Sequence, residues 1–403
     1  MRKDCWIAGE GPLVPFAEMF RDDLVNAGHP PGSLKHYLVL MGQLDRWLRA
    51  QGLDVEQLSA ESARGFLATR RAAGQRRVPT MASLAPLLDC LRTNGVIAPE
   101  PKSEPTATER LLEGYHRHLV DDRGLTSTTV RRYLGFARRF LTTRAARTGL
   151  ETGAEDLTSA EVHAFMLDTA ARLTVESTKR EAADLRALLR YLYVTGFLEI
   201  DLGTAMPPVA TWRGSSLPPT MYAADVDALV ASCDTSTHSG LRDRAVLVLM
   251  ARLGLRAGEV AAVELGDVDW QAGEIAVRGK ARRSDRLPLT TEVGAALADY
   301  LTASRPSCAT RRLIVTLYAP ARPIASSSIT SIVYRACQRA GLAEVGAHRL
   351  RHALATEMLR QGGDLLEIAQ VLRQSDLGTT AGYAKVDRIA LRVVARRWPG
   401  AVA

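Results

Sequence analysis

The sequence predicts a mainly α-helical protein: tandem N-terminal helical units, then a mixed α+β domain with one small antiparallel sheet. Three observations predict it. Apolar residues recur at helical spacing along most of the 403 residues. Two N-terminal stretches share one helical pattern. Period-two alternation is confined to Glu274–Arg278 and Asp285–Leu289, short runs on either side of the basic turn GKARRS.

The bulk numbers bound the partners. Hydrophobic content of 46% is ample for buried cores, and charged content of 24% is ordinary for a soluble protein. Aromatics at 5% argue against a stacking platform for single-stranded nucleic acid. The formal charge of +8 permits a nucleic-acid partner without requiring one. Its distribution is more informative. Residues 1–105 carry 13 Lys+Arg against 12 Asp+Glu, residues 106–210 carry 14 against 14, and residues 211–403 carry 25 against 18. The excess therefore lies in the C-terminal half. Five scattered cysteines (Cys5, Cys90, Cys233, Cys308, Cys337) form neither a zinc spacing nor a disulfide framework, which fits a reducing cytoplasm. The start shows no signal-peptide apolar core, and the longest apolar run, Ala245 to Ala251, is too short to span a bilayer. A cytoplasmic, nucleoid-associated protein with no membrane partner is expected.

In the first unit, LSAESARGFL (58–67) precedes LAPLLDCLRTNGVI (84–97); in the second, LTSAEVHAFM (157–166) precedes LRALLRYLYVTGFL (185–198). Leu84, Leu87, Leu88, Leu91 and Gly95 match Leu185, Leu188, Leu189, Leu192 and Gly196 at a constant offset of 101. Ser33–Tyr37 and Thr128–Tyr133 each precede a long helix. Each unit reads as four or five helices of about 90 residues, a domain-sized repeat. Amphipathic bundles also resemble one another without common descent. The expected organisation is an accessory unit at 1–97, a Pro-rich linker at 98–106, a helical unit at 107–206, a second linker at 207–219 and a C-terminal domain at 220–403. In the second unit Arg131, Arg132, Arg138 and Arg139 form two doublets seven apart on one helix, extended by Arg144 and Arg147. Acidic residues are scarce there, so phosphate contact stands beside a solvated face.

In the C-terminal domain, Asp225–Ser232 reads as a helix and Leu241–Arg252 as a buried one. Arg256 sits at a turn leading into another helix. Thr291–Ala303 is helical, Leu313–Thr316 a short strand and Ser326–Ala340 helical again. Between Ala347 and Arg360, Leu350, Leu354, Met358 and Leu359 recur at helical spacing. His348 and Arg351 share one face near that helix's N-terminus, whose exposed N–H groups suit an oxyanion. A second helix, Asp364–Leu372, follows the Gly362-Gly363 break, and Tyr383 lies on a polar segment rich in Gly and Thr. A guanidinium, an imidazole and a phenol together suggest covalent attack on a phosphodiester, although a lone His-x-x-Arg is more often a solvated face.

With Arg256 and Lys280 added, these residues form a set in chain order, and the chain resembles the tyrosine recombinases of the phage-integrase family. The resemblance rests on Gly254-Leu255-Arg256-Ala257-Gly258-Glu259, the hairpin Gly279-Lys280, His348-Arg349-Leu350-Arg351-His352 and Tyr383, and covers about 106 to 398. It implies a SAM-like helical DNA-binding domain ahead of the catalytic domain. The unit at 1–97 lies outside the minimal family pattern; its likeness to the second unit suggests an accessory DNA-binding domain.

The resemblance implies a site-specific recombinase that cuts duplex DNA through a 3′-phosphotyrosyl bond, integrating or excising a mobile element. Arg256 and Arg351 would bind the nonbridging phosphate oxygens. Tyr383 would be the nucleophile, Lys280 the general acid, and His348 a phosphate ligand that assists proton movement. No cofactor and no metal are implied. Partners would be double-stranded DNA and further copies in a tetrameric synapse, or a hetero-assembly with related recombinases. Glu259 would orient Arg256, His352 would be structural, and Arg282, Arg283 and Arg286 on the hairpin would contact DNA. His116, His118 and His163 have no companion metal ligands. One position departs from the family: where His or Trp is usual, within an L-G-H-like stretch, Leu372-Arg373-Gln374 places Gln374. Gln can donate to a phosphate oxygen but cannot titrate. A catalytically weakened DNA-binding partner and a topoisomerase-like nicking and resealing enzyme are the alternatives.

Overall fold

The computed structural model describes residues 11–74, 79–99, 104–204, 206, 208–209, 221–279 and 284–373. The chain divides into a unit spanning 101–216 and a unit formed by 1–100 with 217–403.

Within 1–100 four helices enclose one core: α1 (Ala17–Asn26), α2 (Pro31–Gln51), α3 (Ala60–Ala72) and α4 (Met81–Thr93). Phe20, Met41, Leu44, Leu48, Phe66 and the α4 leucines fill it. Asp45 is buried among them, its carboxylate accepting the Leu13 amide at 2.8 Å. That bond offsets the cost of burying the charge.

Residues 101–216 form α5 (Ala107–Arg117), α6 (Ser127–Thr148), α7 (Ser159–Arg172) and α8 (Val175–Val194). The repeated sequence features do the same local work in both places. Ser59 and Thr158 each N-cap the following helix, accepting the amide of the residue three positions on. Leu84, Leu87, Leu88 and Leu91, and their counterparts Leu185, Leu188, Leu189 and Leu192, are all buried. Gly95 and Gly196 follow those helices at φ +70° and +78°, the left-handed geometry that closes a helix C-terminus.

The arginine row on α6 is less uniform than its sequence implied. Arg144 is not a phosphate-facing residue. It is 6% exposed and donates to both Glu161 oxygens (3.3 and 3.0 Å) and to the Gly153 and Glu155 carbonyls (3.1 and 2.6 Å), pinning the α6–α7 connection. Arg132 is likewise engaged, by the buried Asp184 carboxylate on α8 and by the Tyr133 ring beneath it. Arg139 reaches Glu181 at 3.2 Å but stays 67% exposed. Arg131 and Arg138 are exposed, with no ion pair among the described residues.

From 221 onward the helices are α9 (Ala223–Ala231), α10 (His238–Arg252) and α11 (Ala257–Ala262), followed by β1 (Val268–Asp269), β2 (Glu274–Arg278) and β3 (Ser284–Pro288). After these come α12 (Thr291–Ala303), α13 (Ser326–Arg339), α14 (His348–Arg360) and α15 (Leu365–Val371). The antiparallel sheet has order β1-β2-β3, with Ile275 opposite Leu287 and Arg278 opposite Ser284. α10 is central: Ala245 to Met250 are fully buried, and α9, α12 and α14 pack around it. A helix apolar on every side can only be a core element.

The expected strand at Leu313–Thr316 is absent. Its amides go to separate partners: Leu313 to the Val263 carbonyl (2.8 Å), Val315 to the Tyr300 hydroxyl (3.2 Å) and Thr316 to the Arg322 carbonyl (2.8 Å). Leu313, Ile314 and Val315 are all buried, so the segment does not alternate faces and builds no ladder. No helix among the described residues is long and apolar enough to cross a membrane.

Arg144→Ala is expected to lower stability by about 2 kcal/mol, because the Gly153 and Glu155 carbonyls lose this donor while Glu161 keeps Arg147 at 3.0 Å. Arg131→Ala should change it by less than about 0.5 kcal/mol. Urea unfolding of the full chain checks both; equal effects would mean that the Arg144 cluster carries no stability.

Candidate active site

Three stretches that are remote in sequence meet beside the C-terminal end of α10. The chain leaves α10 through Gly254, at φ +62°. A Cβ there would lie 2.7 Å from a Leu372 methyl and 3.1 Å from a Leu354 methyl, so the turn admits only glycine without displacement. Leu255 is fully buried beneath it. Arg256 follows at the N-cap of α11, in extended geometry that turns its side chain outward, 42% exposed.

Glu259, one turn into α11, closes a capping box on Arg256. Its Oε2 accepts the Arg256 amide at 3.0 Å and its Oε1 accepts Arg256 Nη1 at 2.6 Å. The sequence reading expected Glu259 to orient Arg256, and these are the contacts between the two. A second guanidinium that sequence reasoning missed, Arg373, also donates Nη2 to Glu259 Oε2, at 2.9 Å. Burial works to raise the Glu259 pKa, but the Arg256 amide and the Arg373 and Arg256 charges outweigh it, so the carboxyl sits below its ordinary range. The signal for Arg373 was present in Leu372-Arg373-Gln374, where an arginine occupies the glycine position of the family stretch.

α14 contributes His348 and Arg351 from its first turn. Leu350 and Ala353 on its inner face pack into the core. No side-chain hydrogen bond caps its N-terminus. Arg351 is fully buried, with Nη1 donating to the Gly254 carbonyl at 2.7 Å and Nη2 to the Leu372 carbonyl. The sequence led us to expect a guanidinium presented to an anion. Instead it serves the backbone at the exits of α10 and α15. His348 and His352 stack edge to face at 4.6 Å between ring centres. Burial, then the charges of Arg351, Arg256 and Arg349, push His348 below its ordinary value. Burial and the His348 ring push His352 down to about 4. Both imidazoles are therefore neutral at neutral pH.

On the hairpin, Arg286 pairs across the strands with Glu274 at 2.9 Å while remaining 66% exposed, so it is partly neutralised rather than free for DNA. Lys280, Arg282, Arg283, Gln374 and Tyr383 lie outside the described residues. Among the described residues, no group of three His, Cys, Asp or Glu side chains could hold a metal ion.

The comparisons bear on this geometry. The profile of the Phage integrase family matches residues 219–388. The protein y4rA of Sinorhizobium fredii, assigned as an integrase/recombinase, is 38% identical over 396 residues, covering 97% of this chain and 96% of that protein. The tyrosine recombinase XerD of Mycobacterium tuberculosis is 30% identical over 305 residues, 72% of this chain and 96% of XerD. Among solved structures, a lambda integrase dimer bound to a COC′ core site superposes with a TM-score of 0.52 at 17% identity, over 73% of this chain and 98% of that one. The XerH recombinase in a post-cleavage complex with palindromic difH gives a TM-score of 0.51 at 18% identity, over 73% and 97%. These structural likenesses speak for the fold.

The neutral histidines set a pH dependence: His348 is exposed and His352 half-buried, and desolvation is the first cause of both shifts. Their folded pKa values lie below the unfolded value of about 6.5, so between those values the unfolded chain binds more protons and stability falls as pH drops. The thermal midpoint should therefore fall between about pH 7 and about pH 5, and His352→Asn should flatten part of that slope. A midpoint independent of pH across that window, measured by calorimetry, would contradict the lowered values.

Proposed function

The chain belongs to the phage integrase family of tyrosine recombinases, and from that premise we propose that it cuts and rejoins duplex DNA at specific sites through a 3′-phosphotyrosyl bond on Tyr383. The observation that carries this reading is the gathering of Arg256, His348 and Arg351 around the Gly254 turn. A phosphodiester is anionic, and attack at phosphorus builds more charge on its nonbridging oxygens. Two guanidiniums supply paired donors for those oxygens. Arg256 is exposed enough to reach them directly. Arg351 does so by exchanging a backbone carbonyl for a phosphate oxygen.

In the cleavage step the Tyr383 phenolic oxygen bonds to phosphorus, and the bond from phosphorus to the 5′ oxygen breaks. The phenol proton passes to neutral His348, and Lys280 protonates the leaving oxygen. One phosphodiester is exchanged for a phosphoester of similar energy, so a 5′-hydroxyl from another strand can reverse the step without ATP or metal. Gln374 still offers N–H donors but no titrating proton, and cleavage proceeds with reduced efficiency.

On this reading the protein integrates or excises a mobile element as a multimer on paired sites. Arg131, Arg138 and Arg139 would contact the duplex backbone, and residues 1–97 would add a second DNA-binding unit. The match to y4rA extends over 97% of the chain and so takes in this N-terminal unit. Gln374 favours one other reading, a DNA-binding partner of a more active recombinase.

The test uses a duplex selected by binding from a randomised pool and nicked beside the cut position. The full chain should form a covalent complex that resists denaturation, is lost in Tyr383→Phe and is unaffected by a chelator. Arg256→Ala should slow it by about 10²–10³-fold. Gln374→His should speed it. Tight binding with no covalent complex would favour the DNA-binding partner and overturn the enzyme.

A further inference from the structure

Arg373 stands in an arrangement that packing does not explain. It follows α15 at φ +52°, the left-handed region that residues other than glycine rarely occupy. Its side chain is 6% exposed. Nη2 is held by Glu259, but Nε and Nη1 are buried with no acceptor among the described residues. A buried cation on a left-handed backbone, with two donors unmet among the described residues, is expensive. A neutral side chain would remove the electrostatic costs, and the glycine of the family stretch would remove the backbone strain as well.

Its partner suggests what it does. Glu259 is the carboxylate that Arg256 also grips. With Glu259 serving Arg256 alone, those two charges cancel. Arg373 changes that balance. Counted by themselves, Arg256, Arg351 and Arg373 against Glu259, with His348 neutral, carry +2, to which Lys280 adds. A phosphodiester carries one negative charge, but the five-coordinate phosphorus formed by phenolate attack carries two. Gln374, neutral at every pH, adds nothing to match that change.

We propose that Arg373 is a positioning residue of this site: it shares Glu259 with Arg256, offsets the charge of that carboxylate, and so supplies positive charge that counts most against the dianionic transition state. This rests on the phosphotyrosyl reading above. The effect is selective for the transition state, so it acts on rate rather than on DNA affinity.

The experiment measures covalent complex formation on the selected nicked duplex, with either an ordinary phosphodiester or a methylphosphonate at the cut position. The methylphosphonate carries one negative charge fewer throughout the reaction. Arg373→Gly suits the left-handed backbone and should fold. It is expected to react about 10–100-fold slower on the phosphodiester while binding DNA within about twofold of the parent chain. On the methylphosphonate the gap should shrink to about threefold or less. Arg373→Gly combined with Glu259→Gln restores the +2 balance and should recover most of the lost rate. Arg373→Lys, which keeps the charge, should stay within about tenfold of the parent and covers the case of a glycine variant that does not fold. Equal slowing on both substrates, or no slowing in Arg373→Gly, overturns the proposal while the parent chain still forms its complex. A parent chain that forms no complex on either substrate overturns the phosphotyrosyl reading instead.

Discussion

The buried guanidinium of Arg351 is the constraint on which the catalytic half depends. A cation without exposure must fill its donors from the protein, and it does so with the carbonyls of Gly254 and Leu372. Both carbonyls lie where a helix has just ended and the backbone has lost its own ladder partner. One side chain from the first turn of α14 thus fixes the exits of α10 and α15. Arg256 begins two residues beyond one exit, and Arg373 immediately follows the other.

The same economy governs the charges. Glu259 is a single carboxylate contacted by two guanidiniums and an amide. The histidines beside those cations are lowered first by desolvation and then by the neighbouring imidazole and guanidinium charges. The positive charge of this cluster therefore comes from arginines, whose charge pH does not touch.

Much of this was legible in the sequence where local chemistry decides. Thr291–Ala303 and Glu274–Arg278 have the bounds read from their patterns, and α10 was recognisable from an apolar run with no polar face. Arg256, His348 and Arg351, each weak alone, stood out as members of a set in chain order that resembles a known family. Long-range pairing was not legible. Arg132 looked free until Asp184, 52 residues on, was found against it. Arg144 looked like one more basic residue in a row, and its burial depends on a loop that no periodicity describes. Leu313–Thr316 had strand composition, but its backbone neighbours meet it only at isolated points such as the Val315–Pro323 bridge. Arg373 was visible as a substitution within a familiar stretch, but its bond to Glu259 joins residues 114 positions apart.

The turn at Gly254 leaves no room for one additional carbon atom between the backbone and the side chains of Leu372 and Leu354. The turn that presents Arg256 and the walls that Leu354 and Leu372 give it are therefore cut from one mould. Drift at either has to be answered at the other, so the two would be inherited together, and a graft of either one alone into a relative would carry a misfit at its centre.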